Sequence, residues 1–168
     1  MPERMLIQGN NIAFRDTAEN DLDRIIEMER NCENAPYIRQ WPVEQHRSAL
    51  ADDNIAHLAV LSVDDGCIVG YVILIGLKNP DESIEFKRIV INDKGKGLGR
   101  EAVRLIRKLA FERYNAHRLW LEVVEGNERA YNLYKSEGFI DEGIHRESLK
   151  HGGSFKSLLV MSMLKKEY

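Results

Sequence analysis

The sequence predicts an α/β (α+β) fold in which six to seven strands, mostly joined as antiparallel hairpins, carry about four helices. Three observations predict it. β-rich runs alternate along the chain with apolar stripes at helical spacing. Two strand pairs flank tight-turn signals, Asp64-Asp65-Gly66 and Gly152-Gly153. The core must be mainly aliphatic, because 168 residues hold 5 Phe, 6 Tyr and 2 Trp. That length fits one domain over residues 1–168, and no linker, repeat or low-complexity stretch divides it.

In chain order, Asn11 to Arg15 reads as a short strand. Thr17 is expected to cap a helix whose apolar stripe is Leu22, Ile25, Ile26 and Met28. Pro36 and Pro42 interrupt the next stretch, around Tyr37, Ile38 and Trp41, and a short helix follows from Val43 to Ala51. His57–Val63 and Cys67–Leu77 form a hairpin, and Ser83–Asn92 is a further strand. Its alternation is imperfect: Arg88 shares a face with Phe86 and Val90, a local conflict of the kind found near functional sites. The turn Lys94-Gly95-Lys96-Gly97-Leu98-Gly99 leads into a helix with Leu98, Ala102, Leu105, Ile106 and Leu109 on one face, ending near Tyr114-Asn115. His117–Val124 is a strand and Glu128–Glu137 a short helix stopped by Gly138. From Phe139 onward the chain reads as a last hairpin, centred on Leu158 to Met161.

Several classes are excluded. No apolar run approaches the ~20 residues of a membrane span, and Met1-Pro2-Glu3-Arg4 has no signal-peptide layout. Cys32 and Cys67 make no disulfide framework or zinc spacing, and read as buried small apolar groups in a reducing cytoplasm. His46, His57, His117, His145 and His151 form no metal-ligating pattern, so no metal is expected.

The net charge of −3 is unevenly spread. Residues 1–85 carry 7 basic and 16 acidic side chains, a balance of −9; residues 86–118 carry 10 and 3, a balance of +7. A compact basic block in an acidic chain suggests a local anion site, not a nucleic-acid surface. Arg100, Arg104, Arg107 and Lys108 also recur at helical spacing, as on a solvated helix face.

A strand, a glycine turn and a helix together make such a site, because glycine lets backbone approach closely and the first helical N–H groups point outward. The turn is neither a P-loop, which needs Lys-Ser or Lys-Thr after its last glycine, nor the dinucleotide fingerprint, since its glycines are spaced by two. It does resemble the acetyl-CoA loop of the GNAT superfamily of N-acetyltransferases, Gln/Arg-x-x-Gly-x-Gly/Ala between strand and helix. Lys94 stands where Gln or Arg is usual, a point charge in place of a planar donor. A second block of that family, Asn-x-x-Ala-x-x-x-Tyr-x-x-x-Gly-Phe, matches Asn127, Ala130, Tyr134, Gly138 and Phe139. The resemblance spans roughly residues 10–165. The C-terminal part looks most like the branch of ribosomal-protein N-terminal and spermidine acetyltransferases.

The resemblance implies the GNAT fold, with a mixed, mostly antiparallel central sheet, and transfer of acetyl from acetyl-CoA directly to a primary amine. The acceptor would be a polyamine or other small amine, or a peptide amino terminus. Glu85 resembles a general base, against the plainer reading of an exposed strand carboxylate. Tyr134 would protonate the departing thiolate, against the reading of a core tyrosine. The backbone of Ile89, Val90 and Ile91 would pair with the pantetheine arm, and one such N–H would polarise the thioester oxygen. Lys94, Gly95, Lys96, Gly97, Leu98, Gly99 and Arg100 would hold the diphosphate, with Asn127 and Ala130 beside the arm. Asn127 is otherwise a plain turn residue. Tyr131 and the cysteines would take no chemical part. Glu27, Glu29 and Glu33 would attract a cationic acceptor or form a solvated acidic face, and Trp41 and Tyr37 would wall the acceptor pocket or pack in the core. A homo-oligomer is expected, without nucleic-acid or membrane partners. The competing reading is a non-catalytic module that binds CoA or a nucleotide.

Overall fold

A computed structural model describes residues 4–31, 33–92 and 95–168. Two short strands, β1 (Met5–Gln8) and β2 (Ile12–Asp16), precede helices α1 (Leu22–Arg30) and α2 (Val43–Leu50). Strands β3 (Ile55–Ser62), β4 (Ile68–Ile75) and β5 (Ser83–Ile91) follow, then helix α3 (Leu98–Lys108), strand β6 (Arg118–Val124) and helix α4 (Glu128–Ser136). The hairpin of β7 (Ile140–His151) and β8 (Ser154–Leu164) completes the chain. The strands form one sheet in the order β1-β2-β3-β4-β5-β6-β8-β7, antiparallel except for β5 beside β6. This is the expected mixed sheet with four α-helices among the described residues. The strand count is corrected to eight: Met5–Gln8 pairs with β2 as an edge strand, four residues too short to show periodicity.

Period-2 alternation divides the core between the two faces of the sheet. On β4, Val72 and Leu74 join Phe14, Leu58, Phe86, Ala102, Ile106 and Tyr134 under α3 and α4. Tyr71 and Ile73 point the other way, joining Leu22, Ile25 and Met28 of α1. Strand β5 breaks this alternation. Its register against β4 shifts between the pairs Ile73↔Arg88 and Leu74↔Phe86, so Lys87 is an extra residue, a β-bulge. Before the bulge Ile84 and Phe86 face α3; after it Ile91 does, while Val90 faces α1. Phe86 and Arg88 therefore lie on opposite faces, and the shared face read from the sequence is corrected.

Two smaller expectations also change. Thr17 caps no helix; its hydroxyl lies 2.9 Å from His57 Nδ1, while the Asp21 carboxylate accepts from the Ala18 N–H at 2.8 Å. Cys67 is exposed, not buried, and Cys32 lies outside the described residues. Gly138 does end α4: its φ of 98° lets the Phe139 N–H reach the Tyr134 carbonyl at 3.0 Å.

Strand β4 lies tightly against β5 at Gly70, where a Cβ would stand 2.1 Å from the Val90 carbonyl oxygen and 2.8 Å from Ile91 Cδ1. Gly70→Ala is expected to destabilise the fold by about 1–3 kcal/mol. Urea unfolding reads this as a lower midpoint at unchanged slope; an unchanged midpoint would show that the strands can part freely.

Candidate active site

Strands β5 and β6 pair only from Ser83↔Arg118 to Glu85↔Trp120. Beyond Glu85 they diverge, although β5 stays paired with β4 as far as Ile91. The edge of β5 facing the gap thus carries backbone N–H and C=O groups with no ladder partner there, ready to pair with an extended ligand. The gap opens into a groove of about 1680 Å³.

The groove brings together most of the residues singled out from the sequence. Glu85, Ile89, Val90, Ile91, Gly95, Gly97, Leu98, Gly99, Arg100, Asn127, Ala130 and Tyr134 all line it. Lys96 is exposed and does not line it. Lys94 lies outside the described residues. At one end of the groove Gly95 and Gly97 adopt φ of 84° and 74°, and Gly97 is the residue before α3. Gly97, the N-cap, has no side chain with which to cap that helix, and the first N–H groups of a helix have no partner within it, an arrangement that suits an anion. Asn127 begins α4 by accepting the Ala130 N–H on Oδ1 at 3.3 Å, a helix cap as well as a groove residue.

Arg100 does not hold its guanidinium free over the turn. It donates to Ser136 Oγ at 2.9 Å and to Glu137 Oε1 at 2.5 Å. Arg104 and Arg107 reach Glu137 Oε2 at 3.0 and 3.2 Å. Burial would raise the Glu137 carboxyl, but hydrogen bonds from Arg104 and Arg100 outweigh it and hold the group below its ordinary value. This clamp ties α3 to α4.

Tyr134 is 7% exposed and meets Phe86 and Phe139 edge-on, at centroid separations of 5.7 and 5.8 Å. Burial pushes its phenol above the ordinary value, so it keeps its proton at neutral pH. Glu85 pairs with Ile75 on the α1 face, its Oε1 3.5 Å from Lys87 Nζ. Carboxylate and phenol thus stand on either side of β5 at the gap.

The segment after α1 walls the other half of the groove with Glu33, Tyr37, Arg39 and Trp41. Behind it runs a buried polar chain that sequence reasoning missed. Thr17 Oγ1 meets His57 Nδ1 at 2.9 Å, and His57 Nε2 meets His46 Nδ1 at 2.9 Å. His46 Nε2 then stands 2.7 Å from Glu29 Oε1, at an angle poorer than a straight hydrogen bond. The same oxygen accepts from the Tyr71 hydroxyl at 2.6 Å and from Arg88 at 3.0 Å, and Oε2 accepts from the Trp41 N–H at 3.3 Å. Glu29 is 1% exposed, so it is neither a solvated nor an acceptor-facing acid; burial would raise its pKa, but the His46 and Tyr71 hydrogen bonds and the His46 and Arg88 charges hold it down. Of its two companions, Glu33 lines the groove, while Glu27 lies outside it, paired with Arg24. The available signals were a histidine inside the apolar run Ala56–Val60 and an arginine inside Phe86–Val90.

A model of the acetyltransferase (GNAT) family matches residues 22–139. The chain belongs to this family. It is an acyltransferase, and acetyl-CoA is the family's acetyl donor. The diverging β5 edge and the glycine turn before α3 fit a cosubstrate whose extended arm leads to a diphosphate. This GNAT chain is 28% identical to spermidine N(1)-acetyltransferase of Vibrio cholerae serotype O1 over 134 residues, 79% of the chain and 78% of the relative. It is 25% identical to the Escherichia coli K12 enzyme of the same name over 169 residues, 95% and 89% of the two. A crystal structure of the Vibrio cholerae spermidine N-acetyltransferase with CoA and spermine superposes with a TM-score of 0.85 at 24% identity, covering 95% of this chain and 99% of that one. These likenesses agree with the spermidine-acetyltransferase branch suggested by the C-terminal stretch from Glu142 to Leu164.

The buried chain makes stability depend on pH. Burial, with the charges of His46 and Arg88, lowers His57 to about 4 from 6.5, against smaller opposing effects of Glu29 and Asp21. The unfolded chain then takes up this proton first as pH falls. The contribution is fully present above pH 6.5 and declines toward pH 4, by about 3 kcal/mol in all. Denaturation measured across that range should show the loss, and His57→Gln should remove it; an imidazole resonance of His57 titrating near 6.5 would contradict it.

Proposed function

We propose that this chain, acting as one domain over residues 1–168 in the cytoplasm, transfers the acetyl group of acetyl-CoA to a primary amine, with Glu85 as general base and Tyr134 as general acid. The acceptor class is a polyamine or other small amine, or a peptide amino terminus. The observation that carries the reading is the divergence of β5 from β6 immediately after Glu85, with a buried, protonated phenol lining the same groove.

In this reading the free edge at Ile89, Val90 and Ile91 pairs with the pantetheine arm. The amides from Gly95 to Arg100 face the diphosphate, with Lys94 and Lys96 adding charge. Asn127 and Ala130 border the arm. An alkylammonium cannot attack a thioester until it loses a proton, which Glu85 accepts directly or through water. As the C–S bond breaks, the nitrogen gives up its second proton to solvent and Tyr134 delivers its own to the sulfur, so the products leave as an amide and a neutral thiol, and the phenolate regains a proton from solvent. No covalent acyl-enzyme is required, because the thioester is already activated.

Self-assembly belongs to the same proposal. A dodecameric structure of the Vibrio cholerae enzyme superposes with a TM-score of 0.80 at 23% identity. Here the β7–β8 hairpin exposes Ile140, Ile144 and Phe155 at 50, 60 and 55%, apolar surface beside a free strand edge.

Tyr134→Phe is expected to lower kcat by about 10²–10⁴-fold with the acetyl-CoA dissociation constant within about twofold of the parent, a working margin for a change buried on the thiol side. Thiol release from acetyl-CoA and calorimetric titration measure the two. Unchanged turnover would remove Tyr134 from the acid role. Glu85→Gln should lower turnover most at low pH, where the amine is most fully protonated; a loss uniform in pH would point to another base.

A further inference from the structure

We propose that Arg88 recognises the acceptor, and that the amine it selects carries a carboxylate: a free amino acid or similar amino-carboxylic acid, in preference to a polyamine. This rests on the amine-acetylation reading and narrows its substrate.

The bulge at Lys87 is the starting point. It turns Arg88 onto the face of β5 that also carries Glu85, since their partners Ile73 and Ile75 lie on one face of β4. Arg88 lines the groove although its side chain is only 7% exposed. Its guanidinium is fixed from three directions. Nη1 donates to Glu29 Oε1 at 3.0 Å, Nη2 donates to the Arg39 carbonyl at 2.5 Å, and Cζ lies 5.1 Å from the centroid of the Trp41 ring. A guanidinium has five N–H donors in a rigid fork, so these two bonds leave capacity for a ligand, and the fork matches a carboxylate. Glu29 cannot turn away to compete, because its oxygens also hold Tyr71, His46 and the Trp41 N–H.

The charge around this end of the groove is balanced: Glu29, Glu33 and Glu85 stand against Arg39, Lys87 and Arg88. Much of the acidic surplus of residues 1–85 is engaged elsewhere. Glu19 and Glu44 pair with Arg47, Asp21 with Arg15, and Asp53 with Lys78. A polyamine carries several positive charges and would find no surplus of anion here to hold them. An amino acid instead offers its amine to Glu85 and its carboxylate to Arg88. Across the bulge the two residues face β4 partners only two positions apart, roughly 7 Å between backbones at ~3.3 Å per residue, and their long side chains can converge on a compact zwitterion.

The test compares matched acceptors in the thiol-release assay. Free amino acids are set against their carboxamides, which keep the amine and remove the negative charge, and against spermidine and spermine. For the unaltered protein, kcat/KM for the preferred amino acid should exceed that for its amide by tenfold or more. Arg88→Gln should erase this preference, raising KM for the acid far more than for the amide. The acid–amide comparison on the unaltered protein decides the matter even where that variant folds poorly. Amides acetylated as well as acids, or spermidine exceeding every amino acid, would overturn the proposal and favour a polyamine. Acetyl-CoA binding without thiol release for any amine would instead sink the acetyl-transfer reading, and this proposal with it.

Discussion

Strand β5 cannot satisfy two neighbours at once beyond Glu85. It keeps its ladder to β4 as far as Ile91 and gives up its ladder to β6, and the rest of the site follows from that separation. Pairing continued along both strands would close the groove and cover the backbone edge that faces it. The bulge at Lys87 lies two residues past the last parallel pair, where an extra residue bends a strand and increases its twist. It also reverses the strand's parity. Phe86 stays on the α3 face, edge-on to Tyr134, while Arg88 turns toward Trp41. One inserted residue thus separates an apolar backing for the phenol from a charged wall of the groove.

The walls of the opened groove need anchoring independent of the sheet, and Glu137 supplies it. This carboxylate follows α4, and three arginines from successive turns of α3 converge on it. The helix carrying Tyr134 and the helix that starts at the glycine turn are thereby held together. An arginine in a basic block beside a glycine turn invites assignment to a phosphate. Arg100 instead fixes the scaffold, and the turn offers an anion the main-chain N–H groups at the start of α3.

What the sequence made legible was what depends on neighbours along the chain. The glycine turn, the helix stop at Gly138, the hairpin at Gly152-Gly153 and the Asn127–Phe139 block are local patterns, and the structure forms each element where they predict it. The bulge is a property of two strands together, so Arg88 could be seen as a conflict but not resolved. Glu29 meets Tyr71 and Arg88 across 42 and 59 residues of chain, and nothing local to the acidic stretch around it distinguishes its burial from solvation. The same holds for charge. The surplus in the first half is real in sequence, yet pairing with Arg15, Arg47 and Lys78 leaves little of it at the groove.

The chain from Thr17 to Arg88 would be a poor choice if stability were its role. Burying a carboxylate and a guanidinium together gains little over a well-packed apolar pair, because desolvation offsets their attraction. Buried His57 adds a group that must stay neutral or lose stability in acid. The effect of such a network is geometric: each polar atom accepts few arrangements, and each arrangement fixes the next. His57 is held by Thr17, His46 by His57, and Glu29 by His46 and Tyr71. What emerges at the groove is a guanidinium and an indole with little freedom to move. Rigid polar groups discriminate between ligands better than flexible ones, because their geometry is fixed before binding. The network is therefore best understood as the support of this wall of the groove, and its cost in acid stability as a consequence of that support.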